Sequence, residues 1–102
     1  MTRGSGPVWG LASEDLNATL LVWPPGEGPP EHVNEERDVL VFVVERSAQV
    51  AVDGETSVLA AGDARIVAKG SRRGLTAGPD GARYLSVHLR RPPLQIQPTR
   101  RG

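Results

Sequence analysis

Nearly every apolar stretch of this chain is short, rich in β-branched residues and cut off by Gly, Pro or Asp. Runs of that length and composition read as strands, and none carries the 3.6-residue periodicity of an amphipathic helix. Asn17–Trp23 (NATLLVW) stops at Pro24-Pro25, and Asp38–Val44 (DVLVFVV) reads as a strand buried on both faces. Gln49–Val52 leads into Asp53-Gly54, a two-residue hairpin signal, and then into Glu55–Leu59. Ala60–Asp63 is a second turn before Ala64–Ala68, and Gly78-Pro79-Asp80-Gly81 a third, between Ser71–Thr76 and Ala82–Leu89. The only weak helical candidate is Ser13–Leu16, where Ser13 could cap a single turn. Short strands at regular spacing with Gly-rich turns predict an all-β sandwich or barrel.

The chain has 102 residues, one small domain with room for a single core. That domain is expected over residues 1–91, with 92–102 as a Pro/Arg-rich arm or tail. Charge balances at 12 basic and 12 acidic residues, so no overall field favours nucleic acid or an anionic membrane. The two halves differ: residues 1–61 hold 3 Lys/Arg against 10 Asp/Glu, and residues 62–102 hold 9 against 2. The two halves are expected to lie together and neutralise each other. There is no cysteine, which excludes disulfides, thiolate metal sites and a Cys nucleophile. With no apolar run long enough to span a bilayer and no leader-like start, the expected compartment is the cytoplasm.

The segment PGEGPPEHVNEERDVLVFVVE resembles the first motif of the cupin superfamily, G-x5-H-x-H-x(3,4)-E-x6-G. Gly26 matches the opening glycine and His32 the first histidine, whereas the second histidine is Asn34. With the shorter spacing the glutamate position falls on Asp38 and the closing glycine on Glu45; with the longer, on Val39 and Arg46. The second motif, G-x5-P-x-G-x2-H-x3-N, lies over GDARIVAKGSRRGLTA. Gly62 and Gly70 match, while Pro becomes Ala68, His becomes Arg73 and Asn becomes Ala77. The whole pattern is similar to small bacterial single-domain cupins. The resemblance implies a conserved-barrel jelly roll (an RmlC-like double-stranded β-helix) with a central cavity.

Cupin metal centres bring three imidazoles and a carboxylate onto one divalent ion. Here one imidazole remains, and Arg73 puts a fixed positive charge where an electron pair should be. No metal is therefore expected; if a divalent transition metal did bind, His32, Asn34 and Asp38 would hold it. Residues i and i+2 of a strand share a face, so His32 and Asn34 are expected to project together into the barrel. Arg73 would either pair with an inward Asp38 or meet another anion, Glu36 or a ligand carboxylate or phosphate. Tyr84, Ser86 and His88 share one face of their strand. It is either a polar outer face, with His88 exposed or at a subunit contact, or part of the cavity lining beside His32. Trp9 and Trp23 are expected in core or interface packing.

The expected ligand-binding set is thus His32, Asn34, Asp38, Arg73 and His88, with apolar walls from Val41, Val43 and Ile66. The expected partners are a small, possibly anionic molecule and a second copy of the chain, using Val8–Leu11 or the C-terminal arm. The alternative is an enzyme: a metal-dependent dioxygenase, isomerase or lyase, or a metal-free acid–base catalyst with His32 as proton carrier.

Overall fold

The computed structural model describes residues 6–90. The expected C-terminal arm, 92–102, lies outside the described residues. Seven strands follow in order: β1 (Gly6–Ala12), β2 (Leu16–Trp23), β3 (His32–Val33), β4 (Val39–Val52), β5 (Glu55–Ala60), β6 (Ala64–Val67) and β7 (Arg72–Leu89). All pairings are antiparallel. Among the described residues no helix is long and apolar enough to cross a membrane.

Two long strands build two layers from one hydrogen-bonded sheet. The first half of β4 pairs with β6 and with the last third of β7, which in turn pairs with β2, itself bordered by β1. The second half of β4 pairs with β5 and with the start of β7, which β3 borders on its other side. The layers are therefore β1-β2-β7-β4-β6 and β3-β7-β4-β5, joined where β4 and β7 bend. This is the jelly roll that the resemblance implied, one form of the sandwich or barrel expected from the strand rhythm.

The bend of β7 sits where turn residues had suggested a chain break; that of β4 lies opposite it. Register shifts fall between Val43 and Glu45 and between Arg46 and Ala48, and Arg46 takes a positive φ of 69°. Opposite them, residues 78–81 of β7 have no partner on β4. Gly78-Pro79-Asp80-Gly81 thus lies within one strand instead of separating two. Gly and Pro let a strand turn a corner between layers without ending it. The two-residue loop Asp53-Gly54 has both φ values positive, 51° and 89°, as a tight hairpin that follows the strand twist requires. Ser13 caps no helix: its Oγ accepts the backbone N–H groups of Asp15 and Leu16 in the β1–β2 turn.

The core lies between the layers. Val39, Val41 and Val43 of β4, Ala48 and Val50 beyond the bend, Leu59, Val67, Leu75, Ala77, Ala82 and Tyr84 form one cluster, with Leu21, Trp23 and Val52 packed against it. The run Asp38–Val44, expected to be buried on both faces, is fully buried only on this inner face; Val44, its last residue, is 38% exposed. At the open side, Arg65 of β6 donates from its guanidinium to the Ser57 hydroxyl of β5, linking the two layers.

Candidate functional site

Arg73 shares a strand face with Leu75 and Ala77, both in the core, so its side chain enters between the layers from the mouth of the barrel. His32 of β3 is its direct cross-strand partner. The arginine Nη2 lies 3.0 Å from His32 Nε2, and His32 Nδ1 lies 3.1 Å from the Pro30 carbonyl oxygen. A guanidinium only donates and a carbonyl only accepts. The hydrogen bonds are satisfied together when Nδ1 carries the proton and Nε2 offers its lone pair to Arg73. The nitrogen that would face a metal is therefore occupied by a cation.

Deeper in, Tyr84 is 4% exposed, and its hydroxyl accepts a hydrogen bond from Trp23 Nε1 at 3.2 Å. Burial pushes the Tyr84 phenol above its ordinary pKa; the Trp23 hydrogen bond and the positive charge of Arg73 oppose that without overcoming it. Burial likewise lowers Arg73, and its interaction with Tyr84 acts in the opposite sense. A polar line, His32–Arg73–Tyr84–Trp23, thus runs from the mouth into the core and touches both layers. Among the described residues the ion pairs are Arg72–Glu31, at 3.8 Å, and Arg83–Glu45, at 3.3 Å. Arg73 has no carboxylate partner among them.

The other expected site residues are placed differently. β3 ends at Val33, so Asn34 does not continue the His32 face. Its Oδ1 accepts the backbone N–H groups of Glu36 and Arg37, and its carbonyl accepts that of Gly70, which makes it a turn residue. Asp38 is exposed, and its Oδ1 accepts the Lys69 N–H at 2.9 Å instead of meeting Arg73. Val39 points inward at 2% exposure. The positive φ of Arg46 shows that the longer motif spacing applies, because the closing glycine position is the one that needs a left-handed backbone. Val39 therefore stands at the carboxylate position. Gly26, Gly62 and Gly70 all have positive φ, as glycines retained for backbone reasons should.

Tyr84, Ser86 and His88 face inward with Val41 and Val43, opposite Leu21, Thr19 and Asn17 of β2. The outer-face alternative is thus corrected for Tyr84, while His88, at the strand end, borders the depression lined by Leu16, Leu40, Ile66 and Val87. His88 is half-buried, and its Nδ1 lies 2.9 Å from the Leu89 carbonyl. Of the expected apolar walls, Val41 and Val43 are packed into the core, and Ile66 is 58% exposed on the outer face.

These side chains do not form a transition-metal donor set. His32 Nε2 faces a guanidinium, Asn34 Oδ1 is taken by two backbone donors, Asp38 faces out and Val39 has no donor atom. Among the described residues no three His, Cys, Asp or Glu converge. Tyr84 and Trp23 are the members of the polar line that residue-by-residue reading missed. Their signal was scarcity, one Tyr and two Trp in the chain, together with the position of Tyr84 two residues from Ser86 on the face of His88.

No family model and no curated protein matches the sequence. Solved structures do. KdgF from Halomonas sp. superposes with a TM-score of 0.76 at 23% identity, over 83% of this chain and 78% of that one. TT1209 from Thermus thermophilus is 30% identical, with a TM-score of 0.73 over 84% of this chain and 81% of that one. An RmlC-like cupin from Shewanella frigidimarina is 26% identical, with a TM-score of 0.69 over 76% and 68%. Motif glycines, bent long strands and these likenesses agree: the chain belongs to the cupin superfamily.

Proposed function

We propose that this cupin binds a small anionic molecule, with a carboxylate as the recognised group, at the barrel mouth through Arg73 and without a metal. One observation carries the reading. A half-buried guanidinium enters the barrel, lies 3.0 Å from His32 Nε2, and has no carboxylate paired with it among the described residues. Desolvating a cation without a counterion is unfavourable, and its planar fork of donors matches a carboxylate in two parallel hydrogen bonds. His32 fixes the orientation of that fork, and Tyr84 bounds it on the core side. The metal-enzyme alternative asks for donors these side chains do not supply, so no step is routed through a metal. A bacterial cytoplasmic setting and a homodimeric state belong to the same reading.

Titration calorimetry against a panel of small carboxylates and phosphates tests it. Loss of a charge-assisted bidentate contact should weaken binding roughly 10- to 100-fold in Arg73→Ala. Identical profiles for wild type and Arg73→Ala, or no binding by either, refute the clamp. Stoichiometric metal retained after dialysis against Fe, Mn, Zn or Ni, and lost in His32→Gln, refutes the metal-free part.

A further inference from the structure

Because β7 bends, it lines both layers from one strand. Its inward residues rank away from the bend as Ala77 and Ala82, then Leu75 and Tyr84, then Arg73 and Ser86, the first of each pair on the β3 layer and the second on the β2 layer. The first two ranks belong to the core cluster, and the third lies beyond it at the open end. Register completes the third rank. Beside Arg73 stand His32 of β3 and Val52 of β4; beside Ser86 stand Thr19 of β2 and Val41 of β4. Arg73 interacts electrostatically with Tyr84, two residues before Ser86, which sets the two rows against each other across the gap. A guanidinium and an imidazole on one layer thus look across at a pair of hydroxyls on the other.

Those hydroxyls are unused within the molecule. Thr19 and Ser86 are half-buried, and among the described residues neither hydroxyl has a hydrogen-bond partner. The fully buried side-chain polar atom without a partner among these residues is Arg37 Nε, so both hydroxyls open onto solvent-accessible space. Each offers one donor and two acceptor lone pairs. An alcohol matches that set; a hydrocarbon covering it would displace water and return no hydrogen bond.

We infer that the carboxylate taken by Arg73 belongs to a hydroxylated acid, of the chemistry of a sugar acid, whose chain crosses the gap so that its alcohol groups bond Thr19 and Ser86. The inference rests on the carboxylate clamp proposed above and names the rest of the molecule it holds. Packed layers stand ~10 Å apart, a gap that a short hydroxylated chain spans from a carboxylate on one side to alcohols on the other. Neighbouring residues across a strand pair hold their side chains close, so Thr19 and Ser86 act on adjacent hydroxyls of the ligand. Val41 and Val52 supply the apolar side against which its C–H face packs.

Titration calorimetry on the full chain is the test, with circular dichroism to confirm folding. D-gluconate and D-glucuronate are compared with hexanoate and cyclohexanecarboxylate, which keep a carboxylate on an open chain or a ring and lack the hydroxyls. The better hydroxylated acid should bind roughly 10-fold or more tightly than the better hydrocarbon acid. Ser86→Ala and Thr19→Val should each weaken the hydroxylated acid roughly 3- to 10-fold and leave the hydrocarbon acids unchanged or tighter. Thr76→Val, on the exposed outward face of β7 between Leu75 and Ala77, should change neither class. Hydrocarbon acids that bind as tightly as the hydroxylated ones overturn the proposal, as does inorganic phosphate binding as tightly as the better of them. So does a Ser86→Ala or Thr19→Val that weakens both classes alike or neither. Arg73→Ala separates the two ideas. Hydrocarbon acids lost in that variant leave the clamp standing and sink only the hydroxylated chain, whereas binding that it does not alter, or no binding at all, sinks both.

Discussion

Replacing Tyr84 with Phe isolates the innermost link of the polar line. The ring stays where it is, 4% exposed and packed against the valines of β4, so almost no volume is lost and no cavity opens. What disappears is the oxygen that accepts Trp23 Nε1–H at 3.2 Å. An unsatisfied buried donor costs about 1–3 kcal/mol. Trp23 is only partly buried, so water can reach some of it, and the hydroxyl's own desolvation is relieved at the same time. The expected net loss is therefore about 1–2 kcal/mol. In a domain of this size each kcal/mol lowers Tm by roughly 4–8 °C, so a fall of about 5–15 °C is expected. Thermal and urea unfolding followed by tryptophan fluorescence would measure it, with an unchanged m-value because the surface exposed on unfolding is the same. A double-mutant cycle with Trp23→Phe should show coupling, since either change alone breaks the same bond. Tyr84→Phe as stable as wild type, or strict additivity in the cycle, would refute the claim that this hydrogen bond contributes to stability.

Two further outcomes follow from the geometry. A Cβ on Gly28 would collide with the carbonyl oxygen of Leu75, so Gly28→Ala must push the chain before β3 off the start of β7. It should lose about 1–3 kcal/mol in chemical denaturation. Gly74→Ala, whose Cβ would meet only Glu31 at 3.6 Å, should lose clearly less. The pH response concerns Tyr84, the single tyrosine of the chain. Its folded pKa lies above the usual value, so the unfolded phenol ionises first as pH rises. Its contribution to stability is whole below about pH 10 and falls as pH climbs from there through the folded pKa. Phenolate absorbance should titrate later in native than in urea-unfolded protein; coincident curves would contradict the burial argument.

The strands, the hairpin at Asp53-Gly54 and the positive-φ glycines Gly26, Gly62 and Gly70 were legible from the residues alone, because each depends on backbone chemistry within a few positions. Motif spacing likewise put His32 and Arg73 among the five expected site residues, but the protein partner it suggested for Arg73 was Asp38 and not His32. What was not legible depends on which layer packs against which. Both faces of the β7 end carry plausible inward residues, and only the second layer, which brings Val50, Leu59, Leu75 and Ala77 against Tyr84, selects the polar trio over Leu85, Val87 and Leu89. The same holds for Asp38 and Val39, where a one-residue shift exchanges the faces and Arg46, seven residues on, settles the register. Asn34 left its expected face because β3 is only two residues long, and a strand's length is set by its partner, here the start of β7, and not by its own side chains.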